Sequence, residues 1–107
     1  MKKFSDILPT LDNADHILRI ELFHQNGRHA GTIENKPGSQ GSVKVYHHLW
    51  KKWGSITPQA AEQGLNLYGE HTEDAENHPD KHPNIDRLFN VIQDGEALTI
   101  KITEISA

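Results

Sequence analysis

A chain of 107 residues, 35% hydrophobic and 24% charged, has apolar material for one hydrophobic core and too little length for two, so a single domain is expected. Its net charge of −4 gives no long-range attraction to phosphate backbones, which argues against nucleic-acid binding. No apolar run approaches the ~20 residues of a membrane span, Met1-Lys2-Lys3 is followed by no signal-peptide core, and the absence of cysteine excludes disulfides and thiol chemistry; together these point to a cytoplasmic protein.

Phe4, Ile7, Leu8 and Leu11 have helical spacing, but Pro9 limits that segment to a turn or two. From His16 the pattern becomes two-fold, with Leu18, Ile20 and Leu22 on one face and Arg19 and Glu21 on the other, which predicts a half-buried strand. Asn26-Gly27 favours a type I′ turn into a second strand over Arg28–Glu34. With those two residues as the loop, Ile20 faces Ile33, Arg19 faces Glu34, and His24 faces His29.

Residues 35–41 read as a loop, and Ser42 is placed to cap a helix reaching Trp53, with Gly54 as its stop. Val43, Tyr46, His47, Trp50 and Trp53 form its expected inner stripe, although Val43-Lys44-Val45 also alternates and a strand competes at that start. Thr57-Pro58 opens a second helix, with Ala61, Leu65, Tyr68, Thr72 and Ala75 carrying the stripe to about Asn77. Pro79 and Pro83 bracket a short connection, and Ile85, Leu88, Phe89 and Ile92 mark a third helix ending near Asp94-Gly95. Leu98, Ile100 and Ile102 then alternate with polar residues in a last strand. The expected class is α+β: a small, mostly antiparallel three-stranded sheet, made of the hairpin and the C-terminal strand, packed on one face by about three helices in the order (α)ββαααβ.

Ile33-Glu34-Asn35-Lys36-Pro37-Gly38-Ser39, and above all His78-Pro79-Asp80-Lys81-His82-Pro83-Asn84-Ile85-Asp86-Arg87, resemble a family of short bacterial proteins known as domain of unknown function family 2322. The resemblance spans essentially the whole chain. It implies a stand-alone bacterial protein and brings no activity or catalytic residue with it, so function has to be argued from the residues.

Eight histidines are many for this length, and their clustering is more informative than their number. Asp74 lies within reach of His71 and His78 on one helix, with His82 just past Pro79. Imidazole and carboxylate suit zinc, nickel or manganese, so His71, Asp74, His78 and His82 form a candidate metal set. His71 and His78, seven residues apart, stand roughly 10 Å apart along an unbroken helix, so only a bend at Pro79 or a returning His82 closes such a set. The competing reading has these histidines flanking the core as half-buried, hydrogen-bonded side chains. His47, on an apolar stripe, reads as a neutral core histidine.

A second candidate is the loop delivering Lys36, Gly38, Ser39, Gly41 and Ser42 to a helix start, where backbone N–H groups and a lysine suit a phosphate or carboxylate. It matches neither phosphate-binding glycine motif, and an ordinary connection is the competing reading. Lys44, His48, Lys51 and Lys52 share a basic helix face, while Glu62, Glu70, Glu73, Asp74, Glu76 and Asp80 are unaccompanied by Lys or Arg. Such faces are compatible with a protein partner, a homo-oligomer or plain solvation. The sequence therefore favours a non-enzymatic binding or regulatory module whose anionic or protein ligand sits on Lys36–Ser42 and Glu70–Asp86. The alternative is a small hydrolase or isomerase using Asp74 with His71 or His78, with or without a metal.

Overall fold

A computed structural model describes residues 2–106. Helix α1 (Phe4–Ile7) runs into a 3-10 turn (Leu8–Thr10), then come β1 (Ile17–Phe23), β2 (His29–Glu34), α2 (Gln40–Trp53), α3 (Pro58–Leu67), α4 (Glu70–Asn77), α5 (Pro83–Asp94) and β3 (Thr99–Glu104). The α+β order expected from the sequence is the order found. The sheet is antiparallel with order β2-β1-β3, so the C-terminal strand returns to the free edge of β1. Ile20, Leu22 and Ile33 are buried on the helix-covered face, whereas Arg19 and Glu34 pair at 3.4 Å on the other.

The register Ile20↔Ile33 and Arg19↔Glu34 is as expected, but the turn that produces it is different. His24 N–H donates to Arg28 O at 2.8 Å, so Gln25, Asn26 and Gly27 form the loop, with Gly27 left-handed at φ 89°. A bulge then places Ala30 as an extra residue between Leu22↔Gly31 and Phe23↔His29, restoring the pairing. His24 therefore faces Arg28, and His29 faces Phe23. A second irregularity between Ile17 and Arg19 turns Leu18 outward and buries Ile17, where Asn35 Nδ2 donates to Ile17 O at 2.8 Å and Asn35 N–H to Leu18 O at 3.0 Å.

Helix α2 starts at Gln40, directly after a turn closed by Ser39 N–H to Lys36 O at 3.0 Å, so Ser42 lies in the first turn instead of capping it. Its buried residues are Val43, Val45, Tyr46, His47 and Leu49; Trp50 and Trp53, expected inside, lie out at 40% and 38% exposure. Helix α3 explains that rotation. Its Ala60, Ala61 and Gly64 are buried, and a Cβ at Gly64 would stand 2.9 Å from Leu49 Cδ1 and 2.8 Å from Leu88 Cδ1, so close approach is centred on Leu49.

The helix expected over Thr57–Asn77 is two helices. Thr57 accepts from Ala60 N–H at 3.0 Å as a cap, but Gly69 adopts φ 59°, ψ −128° and ends the run. The N-terminal segment forces the break: a Cβ at Gly69 would meet Phe4 N at 2.9 Å and Lys2 O at 3.0 Å, and Phe4 N–H donates to Glu70 Oε1 at 2.7 Å. Phe4 thereby becomes part of the surface formed by α2, α4 and α5.

Candidate functional site

Helix α4 ends at Asn77 with His78 as its cap, and Lys81 N–H donates to His78 O at 3.1 Å across a turn in which Asp80 is left-handed at φ 75°. Pro83 then opens α5 with His82 as the residue preceding it. That short reversal carries the chain back over α4. His82 Nε2 reaches Asp74 Oδ2 at 2.6 Å, Lys81 Nζ reaches the same oxygen at 3.0 Å, and His78 Nε2 stands 3.8 Å from Oδ1. The hydrogen bonds from His82 and then Lys81 hold the Asp74 carboxyl down to about 2. Asp74 is therefore an anion that fixes two donors.

The His71 ring lies 5.6 Å from the His82 ring and takes the Phe4 ring edge-on at 5.2 Å, while Phe4 stacks on Tyr68 at 5.4 Å. Tyr68 OH donates to Ser42 Oγ at 2.7 Å; burial, reinforced by the Tyr46 phenol, raises its pKa well above the ordinary range, so it remains a donor. Tyr46 OH donates to Asn84 O at 2.5 Å, and burial raises its pKa too. A cleft of about 270 Å³ opens over these groups, lined by Phe4, Gly38, Gly41, Ser42, Tyr68, His71, Lys81, His82, Pro83, Asn84 and Ile85. Gly41 is needed there, since a Cβ would stand 2.9 Å from the Phe4 ring.

The loop and the histidine-rich segment thus meet in one concavity. Gly38, Gly41 and Ser42 line it, whereas Lys36 is exposed outside the lining and Ser39 turns away to donate to Glu34 O at 2.5 Å. His71 and His82 line it, Asp74 supports it from behind, and His78 stays at its edge with a side chain 62% exposed. The candidate metal set is not assembled. Among the described residues no three of His, Asp or Glu come together to hold an ion; His82 spends its Nε2 on Asp74, and Lys81 occupies the cation position beside that carboxylate. Of the lining residues, Phe4 lies outside both candidate segments of the sequence, whereas Lys81 and Asn84 fall inside Glu70–Asp86 without being singled out there. His24 and His29 stand apart from this site, bonded to Glu96 at 3.2 Å and Thr32 at 2.7 Å.

A second concavity of about 380 Å³ runs along α5 from Pro83 to Asp94, lined also by Ala30 and Leu98, with Asp80, Asp86, Asp94 and Glu96 around it. Its one guanidinium, Arg87, donates to Asn84 Oδ1 at 2.9 Å, Tyr46 OH at 3.2 Å and Ala30 O at 3.3 Å, and packs on Gly31, where φ is 153° and no Cβ fits. Those bonds make Arg87 a tie between β2, α2 and α5.

A model of the bacterial family described as "Uncharacterized protein conserved in bacteria (DUF2322)" matches residues 4–102, which contain every residue of both concavities. No curated protein and no solved structure matches. No helix among the described residues is long and apolar enough to cross a membrane.

Proposed function

The chain belongs to that uncharacterised bacterial family, and from the cleft alone we propose that it is a binding module for a small molecule carrying an anionic group. The observation behind this reading is that Lys81, His71, His82 and the Ser42 hydroxyl line one cleft whose walls contain no carboxylate. Asp74, behind the cleft, is already engaged by Lys81 and His82, so its charge is offset by the groups that it holds. Lys81 keeps two further N–H donors, and Ser42 accepts from Tyr68 while retaining its own proton to donate. These donors suit phosphate or carboxylate oxygens.

Inorganic phosphate is the first probe. A ligand at ten times its Kd stabilises the native state by about 1.4 kcal/mol, a shift of several degrees for a domain of this size. Lys81→Ala should remove most of that shift, because it takes away the ammonium donors that face the cleft. A melting temperature indifferent to phosphate, carboxylates and nucleoside phosphates would remove the proposal.

One observation favours a second reading. The 2.6 Å bond from His82 to Asp74 orients an imidazole in the manner of an acid–base dyad, in the same cleft as a serine hydroxyl. His82 takes the role that the sequence assigns to His71 or His78. Turnover of chromogenic esters or phosphate esters separates the two readings: an acid–base hydrolase shows it and loses it in Asp74→Asn, whereas a binding module shows none in either protein.

A further inference from the structure

Both tryptophans of the chain, Trp50 and Trp53, lie one turn apart at the end of α2 with 40% and 38% of their surface exposed. Neither is loose. Trp50 stacks on His47 at 6.0 Å between ring centres, and Trp53 Nε1 donates to Gln63 Oε1 at 2.7 Å. Lys52 Nζ sits 5.4 Å over the Trp53 ring and has no carboxylate partner among the described residues, while Lys51 pairs with Asp12 at 2.6 Å. The result is an aromatic ridge with a free positive charge at its crest.

Elsewhere, the break between α3 and α4 leaves a notch of about 320 Å³ lined by Leu65, Asn66, Gly69, Thr72, Glu73 and Glu76. Its wall is mainly apolar, and its two glutamates pair with no cation among the described residues. From Gly54 to Asp80 the chain contains no Lys or Arg at all. The notch therefore offers what the ridge lacks: an apolar seat with a negative rim.

We propose that the ridge of Trp50, Trp53 and Lys52 docks into the Leu65–Glu73–Glu76 notch of a second copy of this chain. Charge complementarity selects that occupant, since Lys52 meets Glu73 and Glu76 while the indoles leave water. Ridge and notch are different surfaces, so one contact leaves a second pair available. A two-fold dimer satisfies both by making the contact twice, and an open arrangement repeats it. The contact is small and partly electrostatic, so it is weak and favoured by low salt.

Sedimentation velocity from micromolar to millimolar protein tests this. Wild type should gain mass with concentration at low salt and lose it at high salt, while the emission of Trp50 and Trp53 moves to shorter wavelength in step. Lys52→Glu, and separately Glu73→Lys with Glu76→Lys, should stay monomeric with unchanged melting temperatures, and an equimolar mixture of the two variants should associate again. Wild type that remains monomeric throughout would overturn the proposal, as would charge-reversed variants that associate as well as wild type. A monomer whose tryptophan emission shifts only on adding anionic lipid vesicles would assign the ridge to a membrane surface and overturn it equally.

Discussion

The two concavities flank the start of α5, share Pro83, and differ in what their polar groups do. The larger, at about 380 Å³, has more charges, but its carboxylates surround an arginine already committed to neutral oxygens of Ala30, Tyr46 and Asn84. The smaller, at about 270 Å³, has fewer, yet Asp74 draws His82 and Lys81 together, and Phe4, His71 and Tyr68 form an aromatic wall beside them. Size and charge count thus rank the two one way and convergence of donors ranks them the other. Recognition needs convergence, because a few placed polar groups fix a ligand's orientation.

The strongest way to break the smaller cleft without touching the larger is Gly69→Val. A side chain at φ 59°, with Phe4 N 2.9 Å and Lys2 O 3.0 Å away, must push the N-terminal segment off the aromatic wall. The expected loss is about 2–4 kcal/mol in urea denaturation, together with any phosphate-induced shift. An effect below about 1 kcal/mol would mean that the segment is not wedged there.

Arg87→Ala should strike both sides at once, since Tyr46 OH, Asn84 Oδ1 and Ala30 O all lose a donor. About 1–3 kcal/mol is expected. Arg87→Lys should recover little of it, because one ammonium cannot span three acceptors on different elements. Full recovery by lysine would reduce Arg87 to a point charge and sever the link between the clefts.

Titration separates the smaller cleft from the core. Asp74, held at about 2, contributes stability that is present above the ordinary aspartate value of ~3.9 and lost as the pH falls toward about 2. His47 acts at higher pH. It is 5% exposed with Nδ1 unbonded; burial first, then the positive charges of His16 and Lys51, lower its pKa against the opposing Asp12, with His48 adding to the lowering. The unfolded chain takes that proton first, so stability is full above the ordinary imidazole range near ~6.5 and falls as the pH drops through it. Denaturation at pH 8, 6.5 and 5.5 should show the decline, and His47→Leu should flatten it; higher stability at pH 5.5 than at pH 8 would reverse the assignment.

The smallest effect belongs to the rim of the larger concavity. His24 and Glu96 meet at 3.2 Å with side chains 46% and 48% exposed, so His24→Ala should change stability by less than about 0.5 kcal/mol. A larger cost would show that this rim is held in place for a purpose.

Which parts of this were legible in the chain follows from the range of the interactions involved. Alternation along β3 and from Ile20 to Leu22 in β1, the Thr57-Pro58 cap, and the stops at Gly54 and Gly95 are set by neighbours within a few residues, and each stands where the pattern puts it, whereas Leu18 is turned outward by the irregularity beside it. The proximity of Asp74 to the histidines was also readable as helical spacing, although the partner it selects is His82, because the left-handed Asp80 turn and Pro83 send the chain back over α4. The sequence by itself thus determined the element types, their order and the chemistry available to the cleft. Tertiary structure decided the rest. Gly69 broke a continuous apolar stripe only because Phe4 and Lys2 run across it. Leu49 displaced Trp50 and Trp53 from the core only because the small residues of α3 approach on its side, and Lys81 joined Asp74 only once α4 and α5 had packed. Each of these contacts joins residues far apart in the chain, and local propensity holds no information about which distant surface will arrive.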